Sequence, residues 1–137
     1  MNDKNRLWNC KNPYQTDALK VLCVCSAGLL RSPTLANFLH KKYGYNTRSC
    51  GVYDYALIPI DKVLITWADR IIVCSHDHEQ IVFNFNKIDP TFTIPLVVNL
   101  GIPDDYSFMD PNLLFIFSLL DFESLLRIKD KNINDKL

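Results

Sequence analysis

The sequence predicts an α/β fold: a single three-layer domain with a four-stranded parallel sheet of order 2-1-3-4 and helices on both faces. Short apolar segments rich in strand formers alternate along the chain with stretches of helical periodicity, which favours parallel strands joined by right-handed crossovers. The chain has 137 residues, the length of one domain. It contains no internal repeat and no interior linker that would divide it.

The first strand and the helix after it carry the clearest local signals. Residues 20–25 read Lys-Val-Leu-Cys-Val-Cys, a run typical of a strand buried on both faces. Ser32 and Pro33 suit an N-cap and a first helical residue, so a helix is predicted over 33–43, ended by Gly44. The later elements are predicted as a strand over 45–50, a helix around 60–68, a strand over 70–74, a helix over 76–85, a strand over 93–99 and a last helix opened by Asp110 and Pro111.

The two ends of the chain differ in character from its middle. Residues 1–18 are polar and aperiodic, and we expect an irregular arm that packs on the body through Trp8 and Tyr14. The α/β domain is predicted over 19–130, and a polar tail over 131–137. The last helix is apolar almost all round; its expected role is to cover the sheet, and the alternative is a contact with the arm or a second copy.

Composition excludes several classes of protein. Fifteen basic residues balance fifteen acidic ones, so the sequence encodes no general attraction to nucleic acid or membranes. The longest apolar run, Leu113 to Phe117, is far shorter than the ~20 residues of a membrane span. The first twenty residues lack the apolar core of a secretory signal. We therefore expect a cytoplasmic protein, in which the five cysteines, which form no C-x-x-C pair, are free thiols.

The loop after the first strand has the composition of an anion site. Cys25 ends the strand and Arg31 follows six residues later, at the edge where parallel sheets bind ligands. A tight loop that leads into a helix turns its backbone N–H groups inward, and the helix adds unpaired donors and its positive end. These features make a cradle for a phosphate. Arg31 would hold two of its oxygens with a planar fork, and the same field favours a thiolate at Cys25.

Residues 24–33, Val-Cys-Ser-Ala-Gly-Leu-Leu-Arg-Ser-Pro, resemble the signature of the low-molecular-weight protein tyrosine phosphatases and their short bacterial and phage relatives. The similarity extends more faintly to Arg48 through Tyr55 and to Ile102 through Asp110. The resemblance implies a cofactor-independent enzyme that hydrolyses phosphotyrosine-type aryl phosphate monoesters. The reaction in that family passes through a cysteinyl-phosphate intermediate.

The resemblance also implies roles for individual residues. Cys25 would attack phosphorus and Arg31 would bind the phosphoryl oxygens. The general acid, worth ~10²–10⁴-fold in rate, would be Asp104 or Asp105 in the loop after the fourth strand. An acid two residues before Tyr106 favours Asp104; the alternative for both carboxyls is a solvated turn.

The remaining predicted site residues would surround the substrate. The residues expected to bind the phosphoryl group are Ser26, Ala27, Gly28, Leu29, Leu30 and Ser32. Tyr55 and Tyr106 fall where the family has aromatic walls, although both could equally pack on their own loops. Gly28 replaces an asparagine that helps hold the loop's shape in the family, and Leu30 replaces a second cysteine that protects the nucleophile in many members.

Other functions fit the sequence less well. A non-catalytic phosphate or phosphoprotein binding module on the same fold is the main alternative. Arsenate reduction would need downstream resolving cysteines, and Cys74 is predicted inside a strand. A zinc site built from the cysteine pair Cys23 and Cys25 and the histidine pair His76 and His78 is disfavoured, and no metal is predicted.

The predicted ligands follow from the phosphate cradle and the balanced charge. The expected partners are a phosphotyrosine protein or a small aryl phosphate, with phosphate or sulfate as an anion ligand. Neither nucleic acid nor a membrane is expected to bind. A monomer or a weak homodimer is predicted.

Overall fold

The computed structural model describes residues 17–128. The arm predicted over 1–18 lies almost wholly outside the described residues, together with Trp8 and Tyr14, and so does the tail predicted over 131–137. Within residues 17–128, no helix has the length and apolar character required to span a bilayer.

Four parallel strands form the sheet that the sequence predicts. They are β1 (Lys20–Cys25), β2 (Asn46–Gly51), β3 (Arg70–Val73) and β4 (Leu96–Asn99), in the order β2-β1-β3-β4. Cys25 at the end of β1 is in register with Gly51 at the end of β2. The carboxyl ends of the strands therefore share one edge, and both the fold class and the strand order are confirmed.

Within the described residues 17–128, five helices cover the two faces of this sheet. They are α1 (Arg31–Tyr43), α2 (Lys62–Trp67), α3 (His76–Ile88), α4 (Pro111–Ser118) and α5 (Phe122–Leu125). Alternate residues of β1 point to opposite faces. Cys23 and Cys25 pack with the buried residues of α1, α4 and α5, whereas Leu22 and Val24 pack with those of α2 and α3. The result is a three-layer sandwich.

The start of α1 differs from the prediction. The N-cap is Leu30, and Ser32, predicted as the cap, is buried inside the first turn. A proline tolerates any first-turn position because the N–H it lacks has no intrahelical partner there, so Ser-Pro alone does not define the first residue. The earlier start puts Arg31 and Ser32 on the helix. Its predicted end is confirmed, with Gly44 at a left-handed φ of 76°.

The last predicted helix is two helices. α4 ends at Ser118, and the side chain of Asp121 accepts a hydrogen bond from the backbone N–H of Ser124 to open α5. This break lets Phe122 turn into the core, where it is fully buried. The other differences are at element ends: α3 continues to Ile88 and β4 begins only at Leu96.

Candidate active site

The loop over residues 26–30 connects β1 to α1 at the carboxyl edge of the sheet. Its backbone is tied to the segment over residues 52–57, which follows β2. Three hydrogen bonds do this: Val52 N–H to Cys25 O (3.0 Å), Tyr53 N–H to Ser26 O (3.1 Å) and Leu57 N–H to Ala27 O (3.2 Å). Because these carbonyls point towards the segment that follows β2, the backbone N–H groups of the loop are available on its opposite side. Within residues 17–128, none of the amides of 26–30 donates to another group.

Two glycines allow the loop to lie directly on β2. Gly28 has a φ of +71°, and a Cβ there would come within 2.9 Å of the backbone of Cys50 and Gly51. A Cβ on Gly51 would lie 2.5 Å from the carbonyl carbon of Ala27. A side chain at Gly28 would therefore push the loop away from the strand. This close packing holds the loop's shape although Gly28 replaces the asparagine noted in the sequence analysis.

Cys25 lies at the base of the loop with its side chain almost enclosed. It is 3% exposed, and its Sγ is 3.1 Å from Ser32 Oγ. The same hydroxyl lies 3.3 Å from the carbonyl oxygen of Cys50. A hydroxyl has one hydrogen, so Ser32 can give it to Cys50 while a Cys25 thiol donates to Ser32, or give it to a Cys25 thiolate.

Arg31 is buried in the first turn of α1, only 3% exposed. Its Nη1 donates to the carbonyl oxygen of Ile102 at 2.8 Å and its Nη2 to Ser26 Oγ at 3.3 Å. Its Nε is buried and has no hydrogen-bond partner among the described residues. Asp104 Oδ1 is 3.6 Å from that Nε, an ion pair longer than an N–H···O hydrogen bond. A buried N–H without a hydrogen-bond acceptor is a feature expected of an anion-binding site.

A hollow of about 160 Å³ opens between the loop, the start of α1 and the segment after β4. This volume is about ten times the ~10–15 Å³ that a cavity needs in order to hold one water, so a phosphoryl group fits. The lining residues are Cys25, Ser26, Ala27, Leu29, Leu30, Arg31 and Asp104. All seven were predicted site residues.

The other predicted site residues lie behind or outside the hollow. Gly28 and Ser32 support the loop and the Cys25 sulfur from behind. Asp105 is exposed and does not line the hollow. Of the two adjacent carboxyls, only Asp104 reaches the site.

The two predicted aromatic walls are not part of the lining. Tyr55 is 73% exposed, and its ring packs on that of Tyr53 with centroids 5.1 Å apart. Tyr106 is half-buried against the core beside α1 and α4. Tyr55 thus packs on its own loop, as in the alternative interpretation, whereas Tyr106 packs against the core. The apolar side chains at the mouth of the hollow are those of Leu29 and Leu30, both exposed.

His78 joins the site from α3, and only an indirect signal in the sequence points to it. It is 2% exposed, and its Nε2 lies 3.0 Å from Ser26 Oγ. Burial, and then the nearby Arg31 charge, lower the pKa of His78 to about 4. The sign was the spacing Ser75-x-x-His78, which is that of a capping box with histidine in the third helical position.

The structure does not assemble the zinc site that the sequence analysis disfavoured. His76 is exposed, and it contacts Glu79 and Gln80 on its own helix. Within residues 17–128, no cluster of three or more His, Cys, Asp or Glu side chains is arranged to hold a metal ion.

Cys74 follows β3 directly and lies beside Cys25 in the same core cluster. The sequence predicted Cys74 inside the strand, but the strand ends one residue earlier, at Val73. Cys74 is nevertheless fully buried. Burial, and then the neighbouring Cys25, raise the pKa of Cys74 to about 12. A thiol that stays protonated at neutral pH is a poor resolving nucleophile, which disfavours the chemistry of an arsenate reductase.

Comparison with known proteins relates this arrangement to one fold. No family profile and no curated protein sequence matches the chain. A crystal structure of a YwlE mutant from Bacillus subtilis matches with a TM-score of 0.50 and 18% identity, over 85% of this chain and 99% of that one. The chain has the low-molecular-weight protein tyrosine phosphatase fold. The predicted resemblance is thereby confirmed at the level of the fold.

A second solved structure matches to a similar extent. It is a YwlE arginine phosphatase variant with a phosphorylated active-site serine, with a TM-score of 0.49 and 18% identity over 85% of this chain and 96% of that one.

Proposed function

We propose that the protein is a cysteine-dependent phosphatase that hydrolyses aryl phosphate monoesters of the phosphotyrosine type. The observation that carries the proposal is the hollow of about 160 Å³ at which Cys25 Sγ, the Arg31 Nε that lacks a hydrogen-bond acceptor, and the Asp104 carboxyl meet. A nucleophile, an oxyanion holder and a proton donor are the groups that such a reaction requires.

In the first step, the phosphoryl group occupies the hollow. The free amides of the loop and the N–H groups of Arg31 bind its non-bridging oxygens, and Cys25 Sγ, as a thiolate, attacks phosphorus opposite the ester oxygen. A P–S bond forms as the P–O bond breaks, and Asp104 gives its proton to the departing oxygen. The products of this step are the free alcohol or phenol and a cysteinyl phosphate on Cys25.

In the second step, water cleaves the cysteinyl phosphate. Asp104, now a carboxylate, takes a proton from the water as the water oxygen bonds to phosphorus. The P–S bond breaks, and its electron pair returns to Cys25 as a thiolate. Ser32 Oγ, 3.1 Å from that sulfur, turns its hydrogen from the carbonyl of Cys50 to the thiolate. Inorganic phosphate leaves and the enzyme is restored.

The position of Asp104 supports it as the general acid over Asp105. Asp104 lines the hollow, and its side chain is 67% exposed, so it faces both the phosphoryl site and the solvent side from which a leaving group departs. Asp105 does not line the hollow.

The mouth of the hollow supports an aryl leaving group. Leu29 and Leu30 present exposed apolar side chains there, and Asp104 is the one acidic residue of the lining within the part of the chain that the structure describes. A phenyl ring buries apolar surface against the leucines. A phosphoarginine, the class that the name of the YwlE arginine phosphatase indicates for that protein, presents a guanidinium with several N–H donors, and these side chains offer few acceptors to satisfy them.

The test is hydrolysis of p-nitrophenyl phosphate, a phosphotyrosine peptide and a phosphoarginine peptide by wild type, Cys25→Ser and Asp105→Asn. We expect turnover of the two aryl phosphates by wild type and by the Asp105→Asn control. Cys25→Ser should lose about four orders of magnitude or more in kcat/KM, as nucleophile removal does in enzymes of this kind of mechanism. Turnover that survives in Cys25→Ser excludes the mechanism.

The same assay separates an enzyme from a binding module. Wild-type protein that binds inorganic phosphate and turns over none of the three substrates would be a non-catalytic phosphate-binding protein. Faster turnover of the phosphoarginine peptide than of the phosphotyrosine peptide would overturn the substrate class and leave the cysteine mechanism in place.

A further inference from the structure

The hydroxyl of Ser26 lies where two hydrogen bonds meet at the edge of the hollow. Arg31 Nη2 is 3.3 Å from Ser26 Oγ and His78 Nε2 is 3.0 Å from it. A guanidinium is only a donor, so the Arg31 contact occupies one lone pair of the hydroxyl oxygen. The direction of the His78 contact depends on which ring nitrogen carries the proton.

The backbone of Ser75 determines that tautomer. Ser75 N–H lies 3.2 Å from His78 Nδ1, and a backbone N–H can only donate. Nδ1 is therefore the nitrogen with the lone pair. The ring is neutral at physiological pH, because its pKa is lowered to about 4 by burial and by Arg31. Its one proton must then be on Nε2, which donates to Ser26 Oγ.

A count of hydrogens gives the direction of the Ser26 O–H. A hydroxyl has two lone pairs and one hydrogen, and N–H donors from His78 and Arg31 fill both lone pairs. The hydrogen is left to donate, and Ser26 lines the hollow. No acceptor for it is found among the described residues. An oxygen of an anion in the hollow would satisfy it.

We propose that the Ser26 hydroxyl donates a hydrogen bond to the phosphoryl group, and that His78 is a positioning residue that orients this hydroxyl. The inference rests on the proposed function for the identity of the ligand, which is a phosphoryl group or inorganic phosphate. It adds a side-chain donor to the main-chain amides of the loop. His78 acts through Ser26 and does not itself line the hollow.

Four variants separate this role from a structural one. Ser26→Ala removes the donor. His78→Asn keeps an acceptor near the position of Nδ1 for Ser75 N–H but does not reach Ser26. His78→Gln carries an amide donor near the position of Nε2. His76→Asn is the matched control, since His76 is exposed and lies two residues before His78 on the same helix.

The measurement is the dissociation constant of inorganic phosphate for the full chain at pH 7, by calorimetry and by competitive inhibition where the variant turns over substrate. A hydrogen bond to a charged group predicts about tenfold to a hundredfold weaker binding in Ser26→Ala. His78→Asn should weaken binding several-fold, His78→Gln less, and His76→Asn not at all. In the Ser26→Ala background, His78→Asn should have no further effect, because the two residues act as one unit.

The results distinguish this inference from the proposed function. Wild-type phosphate affinity in a folded Ser26→Ala variant, fully additive effects of Ser26→Ala and His78→Asn, or no phosphate binding by wild type would each overturn the inference. If wild type binds phosphate, Ser26→Ala weakens it as expected and no substrate is turned over, then the inference holds and the proposed enzymatic function fails.

Discussion

At the scale of single residues, the Ser32 hydroxyl can hydrogen-bond Cys25 both as a thiol and as a thiolate. Ser32 Oγ is within reach of both Cys25 Sγ and the carbonyl oxygen of Cys50. Because the site is buried, the alternative to this hydrogen bond is a sulfur without a donor, which is costly for an anion. Ser32 should therefore matter most in the step in which Cys25 leaves as a thiolate.

Replacing Ser32 by Ala should slow breakdown of the cysteinyl phosphate. We expect kcat to fall about tenfold or more with a good leaving group, since a hydrogen bond to a charged group is worth ~1.5–3 kcal/mol. Rapid mixing with p-nitrophenyl phosphate should then show a burst of nitrophenol followed by a slow phase. An unchanged kcat without a burst would mean that Ser32 has no part in the second step.

Substitution of Asp104 and substitution of Asp105 should have different effects on kcat/KM, and the effect at Asp104 should depend on the leaving group. Asp104→Asn is expected to lower kcat/KM by ~10²–10⁴-fold for phenyl phosphate, and by less for p-nitrophenyl phosphate, whose leaving oxygen needs little protonation. Asp105→Asn, which changes a carboxyl outside the hollow, should stay close to wild type. Comparison of kcat/KM for the two esters tests this, and a larger loss in Asp105→Asn would reverse the assignment.

At the scale of elements, the site depends on how the loop over 26–30 and helix α1 are held against β2. The loop's carbonyls are bound by the segment over 52–57, and Gly28 lies directly on the strand. The anion-binding face of the loop is thus a consequence of the packing on its opposite face.

Gly28→Ala should damage both stability and activity, and Gly44→Ala is its matched control. Both glycines have a positive φ, +71° and +76°, but a Cβ at Gly44 meets nothing within 4 Å, whereas at Gly28 it meets backbone at 2.9 Å. Each change should lower the free energy of unfolding by about 1–2 kcal/mol, more for Gly28→Ala. Only Gly28→Ala should also lower kcat/KM, by about tenfold or more, because a displaced loop loses its donor geometry. Equal activity in the two variants would contradict this account of the loop.

At the scale of the whole molecule, the sheet collects three distant segments at one edge. Cys25 comes from the end of β1, His78 from the first turn of α3 and Asp104 from the segment after β4.

Burial of His78 at this edge of the sheet has a consequence for the stability of the whole protein. Its pKa is lowered by burial first and by Arg31 second, while Asp77 on its own helix and Asp104 from the late segment act in the opposite direction.

Acid should therefore destabilise the protein through His78. In the unfolded chain the imidazole takes up a proton near pH 6.5, whereas in the native protein it does so only near pH 4. Between these values the unfolded state binds more protons, so stability falls as pH drops from about 6.5 to 4. Thermal unfolding should show a steeper loss of Tm between pH 7 and pH 4.5 for wild type than for His78→Asn. Parallel curves would mean that His78 does not remain neutral in the native state.

Local sequence signals were enough to predict the sheet, its strand order and the position of Cys25 and Arg31 at the two ends of one loop. These follow from local signals: the hydrophobic period, a strand that ends at a cysteine, and an arginine six residues later at the start of a stretch of helical periodicity. Right-handed crossovers then allow only a few sheet topologies. In a sheet of parallel strands the ligand site is expected at the carboxyl ends of the strands.

The packing of distant segments determines which side chains enter the hollow. It chose Asp104 over Asp105, left Tyr55 and Tyr106 packed on their neighbours, and brought His78 to Ser26 across 52 positions of the chain. The physical reason is that these outcomes depend on where loops and helix ends rest on the folded body. Contacts of that kind are set by close packing between segments far apart in sequence, which no local pattern encodes.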